Sequence, residues 1–297
     1  MTQFLQNLVD GAGLGGTYAL LALGISLIFG VMHLVNFAHG ELITVGAYTA
    51  YFLFRDAGGS WWWMPVAIIV SCVLASVLTE RIAFRWVRNA NPFTMLLTSF
   101  ALERLSHALW QIFVSPKAQA FPKTSWAFNT FTVGGLRLEV MDLVTIAVTA
   151  AALAATALVF KQTLFGIAVR GAAEDFDAAR LMGVKANRVI LGAFAYAGLL
   201  AGVAAVLILI RTPSAKPDMG SSWLLAAVIA AVLGGMGSFT GAVVGGLVLG
   251  LLQTFFQSYL PEGTLSYLND AFVFAVIAIV FVVRPQGLFN VVRAERV

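Results

Sequence analysis

Long apolar runs recur along the chain, near residues 11–31, 41–54, 62–79, 93–113, 142–160, 188–210, 223–236, 241–259 and 271–284, with short polar intervals between them. A helix needs roughly 20 apolar residues to cross a bilayer, and these runs are continuous instead of alternating as half-buried or barrel strands do. The pattern predicts an all-α polytopic transmembrane bundle of about 8–10 spans. The runs at 41–54 and 223–236 are short and flanked by glycine or polar turns. Such segments suggest helices that break inside the membrane, where irregular backbone must be buried in protein or line a cavity.

The polar intervals carry the remaining information. Lys161 to Arg188 holds five basic residues (Lys161, Arg170, Arg180, Lys185, Arg188) and three acidic ones (Glu174, Asp175, Asp177). This interval cannot lie in hydrocarbon. Asp175 to Met182 reads as a short helix with acids at its start, Arg180 near its end and Gly183 at the left-handed position beyond it. Ala172, Phe176, Ala179 and Gly183 share one face, which suits docking into a groove on a partner; the competing reading is a solvated amphipathic loop. Ser115 to Met141, with Pro116, Pro122 and Gly134–Gly135, is expected to form an ordered cap at the opposite end. No composition shift divides the chain, so residues 1–297 read as a single transmembrane domain.

Composition narrows the class. With 60% hydrophobic residues, 23 Phe and a mean hydropathy of +0.90, the chain has too little polar surface for a soluble globule. Its single cysteine, Cys72, lies in an apolar run. The first run follows an N-terminus without Lys or Arg and reads as a span, not a removed signal peptide. Eleven Lys and Arg fall in one set of loops (residues 81–88, 161–188 and 284–296) and six in the other (Arg55, Lys117, Lys123, Arg137, Arg211, Lys216), with Arg104 inside a span. Basic loops face the cytoplasm, which places the N-terminus outside and the C-terminus and residues 161–188 inside.

Polar groups are costly at membrane depth and mark function there. Asn36, His39, Gly40 and Glu41 form the most unusual cluster beside a span, suited to line a pathway or to cap a re-entrant turn. A metal site of His33, His39 and Glu41 is conceivable by residue type, but the spacing fits no helical ligand pair. Glu103 and Arg104, with His107 one turn on, lie mid-span; as neighbours about 100° apart they need not pair with each other, and each is expected to face a neighbouring helix or a polar cavity, a structural pairing being favoured over a role in translocation. Phe29 to Gly46 and Leu233 to Gly246 resemble one another weakly, which would make Gly234, Gly235 and Gly241 part of a second break lining the path. Glycines four apart (Gly198 and Gly202, Gly241 and Gly245, Gly246 and Gly250) suit close helix crossings. No glycine is followed by lysine, so the chain has no phosphate-binding loop of the common type; GxSxG and HExxH are also missing.

Four blocks are similar to one family: GLGGTYALLALGISLIFGVMHLVNFAHGELITVGAY, RGAAEDFDAARLMGVKANRVI, VLGGMGSFTGAVVGG and RPQGLF. The chain resembles the H-type inner-membrane permease subunits of branched-chain amino acid ABC importers. The resemblance implies a type II-like permease fold in the bacterial inner membrane. Its expected partners are an M-type permease, two cytoplasmic ATPases that hold ATP and magnesium, and a periplasmic binding protein, with no cofactor on this chain. It also implies that Ala172, Ala173, Glu174, Asp175 and Gly183 belong to the element that couples to the ATPase, and Asn36, His39, Gly40 and Glu41 to a central broken helix. Relatives in the superfamily also move urea and short amides, and an ATP-independent transporter or channel is a further alternative. The lack of a nucleophile, base and orienting group argues against an intramembrane enzyme.

Overall fold

The computed structural model describes residues 2–56, 60–88, 90–134, 136–259, 269–284 and 287–289. Its helices are α1 (Thr2–Met32), α2 (Glu41–Asp56), α3 (Met64–Thr79), α4 (Arg85–Val87), α5 (Pro92–Phe113), α6 (Val140–Gln162), α7 (Leu164–Glu174), α8 (Phe176–Leu181), α9 (Ala186–Arg211), α10 (Met219–Gly234), α11 (Phe239–Tyr259) and α12 (Asn269–Val283). A π-helical turn, Glu80–Phe84, joins α3 to α4. Short strands decorate one end: β1 (Gln119–Ala120) pairs antiparallel with β4 (Ser214–Ala215), and β2 (Thr130–Val133) with β3 (Leu136–Glu139).

Every predicted apolar run is a helix. Among the described residues, five segments are long and apolar enough to cross a membrane: Thr2–Met32, Met64–Val87, Val140–Gln162, Ala186–Arg211 and Phe239–Tyr259. Helix α5 has 22 residues but carries Glu103 and Arg104. Helices α2 and α10 have 16 residues each, about 24 Å at 1.5 Å per residue, and cannot span alone.

Helix α1 starts well before its apolar run, because α11 supports the polar first turns. Gln3 Nε2 donates to Ser258 Oγ (3.2 Å), and the rings of Phe4 and Phe255 lie 5.3 Å apart. Arg293, Arg296 and Gly135 lie outside the described residues.

Buried α1 and α9 form the centre. Helix α11 runs antiparallel to α1, with Leu251 against Gly11, Leu247 and Gly250 against Gly15, and Gly246 against Ala19. The backbones approach so closely that a Cβ on Gly15 would sit 2.8 Å from Leu247 Cα. Gly198 and Gly202 serve the same purpose on α9, packing against Ile69, Cys72 and Ser76 of α3. Gly250→Val is therefore expected to force α1 and α11 apart at a cost of about 1–3 kcal/mol. Its thermal midpoint in detergent should fall by several degrees; an unchanged midpoint would show the crossing to be slack.

The two ends differ in character. At the strand-bearing end, Trp61 Nε1 donates to the carbonyl of Pro122 (3.2 Å) and Arg211 pairs with Asp142 (2.5 Å). At the other, Ala173 faces Gly30, Gly237 lies beside Phe29, and Arg88 bonds both buried Glu80 and Asn187, the latter at 2.6 Å.

Candidate functional site

Helix α1 ends at Met32; the next residue, His33, takes the left-handed conformation (φ 54°), and the chain then turns back into the bundle. Asn36 sets the re-entry: its side chain accepts the Ala38 N–H (3.0 Å) and starts a 3-10 turn over Phe37–His39. Of its two expected roles the structure displays the capping one. His39 is buried against Gly24, where an added Cβ would lie 2.8 Å from Nε2, and neither ring nitrogen has a hydrogen-bond partner among the described residues. Gly24 lies about 12 Å along α1 from Met32 and about 16 Å from Gly13, the neighbour of Arg211 at the strand-bearing end. The break thus sits near the middle of the membrane.

Helix α10 begins against the same point. Gly220 N–H donates to Thr44 Oγ1 (3.1 Å), and a Cβ on Gly40 would fall 2.6 Å from the Gly220 carbonyl and 2.7 Å from Leu224 Cβ. Two helix N-termini, of α2 and α10, converge here; each carries partial positive charge and N–H groups without intrahelical partners. Two buried carboxylates face them. Glu41 Oε2 accepts from Ser106 Oγ (2.8 Å), while Oε1 has no partner among the described residues. Glu103 Oε1 accepts from Ser221 Oγ (2.8 Å) and Oε2 pairs with Arg104 Nε (2.8 Å). Adjacent positions on a helix do not require Glu103 and Arg104 to pair, yet they do. Their long side chains close the angular offset, and Glu103 still reaches α10.

The second predicted break is not equivalent to the first. Gly234, Gly235 and Gly241 form a tight α10–α11 turn in which Gly235 has φ 101° and Gly234 packs backbone to backbone on Gly241. Leu288 and Phe289 donate N–H groups to the carbonyls of Leu233 (2.8 Å) and Gly234 (3.1 Å), closing this turn. Gly234, Gly235 and Gly241 are buried within this turn. The structural counterpart of Gly40 is Gly220, signalled in the sequence only by the polar KPDMGSS ahead of a short apolar run.

The charged interval folds as two helices. Thr163 caps α7, accepting the Gly166 N–H (3.1 Å), and Asp175 ends it and caps α8, accepting the Ala178 N–H (3.0 Å). Phe176 opens α8. Gly183 has φ 88°; its N–H bonds the Arg180 carbonyl (3.0 Å) and that of Val184 bonds Ala179 (3.1 Å), a glycine-terminated helix end as expected. The docking face is corrected. Ala172 and Ala179 turn inward among Val169, Val189, Ile190 and Ala193, and Ala173 faces Gly30 at the end of α1. Small residues fit the chain's own helices, leaving Glu174 exposed with Leu181 at 90% and Met182 at 86% exposure. Nothing in the local sequence pattern marks these two apolar side chains out.

A bundle of long and broken helices around a mid-membrane cluster of polar groups defines a multi-pass membrane permease. Residues 7–282 match the model of the family described as branched-chain amino acid transport system / permease component, and the chain belongs to that family. It is 30% identical over 305 residues to the high-affinity branched-chain amino acid transport system permease protein LivH of Salmonella typhimurium, covering 99% of this chain and 98% of LivH. To BraD of Pseudomonas aeruginosa, a permease protein described in the same terms, it is 28% identical over 230 residues, 73% of this chain and 74% of BraD. PsaBC from Streptococcus pneumoniae, solved in complex with Fab, shares the fold: TM-score 0.53, 16% identity, 95% of this chain and 92% of that one.

Proposed function

We propose that this chain is a membrane subunit of an ATP-driven importer of branched-chain or other hydrophobic amino acids. The observation that carries the reading is the meeting of the α2 and α10 N-termini beside Glu41 and Glu103. A zwitterion passing through needs a few polar groups for its charged ends in an otherwise apolar passage, and broken helices supply them. Asn36, His39, Gly40 and Glu41 stand at this break. ATP is bound and hydrolysed by two partner ATPases, a periplasmic receptor delivers the solute, and an M-type permease completes the path. The α7–α8 element lies in the cytoplasm and meets the ATPase. Ala173 against Gly30 offers a mechanical route from there to the end of α1, ten residues before Gly40.

Reconstitution tests this. The complex with its neighbouring subunits, in proteoliposomes, is expected to take up leucine only with both ATP and the receptor. ATP-independent uptake would make the chain a secondary transporter or channel, and uptake of urea or acetamide in place of leucine would move the solute class. Orientation has its own check on a Cys72→Ala background. In right-side-out vesicles an impermeant thiol reagent should modify Lys117→Cys and spare Lys185→Cys; the reverse pattern would invert the topology.

A further inference from the structure

Arg104 stands at mid-length of α5 with its side chain 70% exposed. Its depth is set by neighbours: Phe100 stacks on Phe37 (4.1 Å), Ser106 holds Glu41, and Trp110 stacks on Tyr48 (4.2 Å). Arg104 therefore lies level with the helix break. An arginine facing hydrocarbon at that depth is among the least favourable placements in a membrane protein, and no snorkelling path is short from the middle of a 22-residue helix. The guanidinium is also oriented. Its Nε lies 2.8 Å from Glu103 Oε2 in an ion pair, the other oxygen of that carboxylate, Oε1, accepting from Ser221 Oγ, while Nη1 and Nη2 have no acceptor among the described residues. That leaves a planar donor fork pointing away from the chain, the geometry that takes a carboxylate in bidentate fashion.

We infer that Arg104 faces the translocation passage and receives the carboxylate of the permeating amino acid, whose ammonium group turns to the open Oε1 of Glu41. Charge complementarity supports this pairing. Glu103 lies between Arg104 and Ser221, whereas Glu41 holds only Ser106, through Oε2, and its Oε1 has no hydrogen-bond partner among the described residues. A zwitterion matches a guanidinium with an open donor fork and a carboxylate with an open oxygen; a neutral amide brings neither of the two charges. The solute assignment rests on the importer reading above, whereas the exposure of Arg104 to water does not.

The test uses the whole importer complex in proteoliposomes on a Cys72→Ala background. An impermeant trimethylammonium methanethiosulfonate should modify Arg104→Cys about tenfold or more faster than Leu74→Cys, a 57% exposed position on α3. Leucine uptake by Arg104→Gln should fall about tenfold or more with receptor affinity unchanged, and Arg104→Lys should recover a substantial part. Equal reactivity of the two thiols would overturn the placement in the passage. So would cross-linking of Arg104→Cys to the second permease, which would make α5 a subunit contact. Wild-type uptake by Arg104→Gln, in a complex that imports leucine, would overturn the carboxylate contact alone. Failure of the unmutated complex to import leucine would instead overturn the importer reading and the solute assignment with it.

Discussion

Leu181→Asp combined with Met182→Asp is expected to lower solute-stimulated ATP hydrolysis of the assembled complex by about tenfold or more, while the chain still inserts and folds. The reasoning starts from solvent exposure. Two large apolar side chains stand almost fully exposed at the end of α8, although Ala172 and Ala179 beside them are buried. Burying such groups in a partner's groove supplies about 1.5–3 kcal/mol each, and carboxylates would be desolvated there instead. Neither residue contributes to this chain's core, so stability should not change. Gly183→Val probes the same contact by another route. At φ 88° a β-branched residue costs on the order of 1 kcal/mol or more, which shifts the two side chains without altering them. Both variants should show basal hydrolysis without stimulation. Full stimulation in correctly assembled complexes of either kind would remove α8 from the coupling contact.

The correction at α8 shows what a single chain can and cannot reveal. Apolar runs announce helices because hydropathy over twenty residues is a local property. The break at Asn36–Glu41 was also legible, since buried polar groups at membrane depth have few structural excuses. Gly183 could be read from its position after a short helix. Small-residue faces are different: alanine at helical spacing fits this chain's own helices as well as a partner's groove, and only the packing of Ala172 and Ala179 on Val189 and Ala193 decides. Gly220 was missed for a related reason. Its role depends on Gly40 being opposite, a contact across 180 residues that leaves no local periodicity. The weak likeness of Leu233–Gly246 to Phe29–Gly46 does not distinguish a tight interhelical turn from a mid-membrane break, because both call for the same residues.

Glu41 can be divided into its structural and transport roles by two substitutions. It is the first residue of α2, where the helix N-terminus favours a carboxylate, and its Oε2 accepts the Ser106 hydroxyl that fastens α5 to the break. Glu41→Ala leaves that half-buried hydroxyl without its acceptor, at a cost of about 1 kcal/mol, and opens a small void besides. Glu41→Gln keeps the volume and an acceptor oxygen for Ser106, and it removes only the charge. Thermal stability should therefore fall for alanine and stay near the wild-type value for glutamine. Transport should not follow stability. If the open Oε1 meets the ammonium group of the solute, both variants lose leucine uptake by about tenfold or more, because a neutral amide cannot replace that ion pair. Uptake by Glu41→Gln at the wild-type rate, measured at equal assembly and basal ATP hydrolysis, would reduce Glu41 to a brace between α2 and α5.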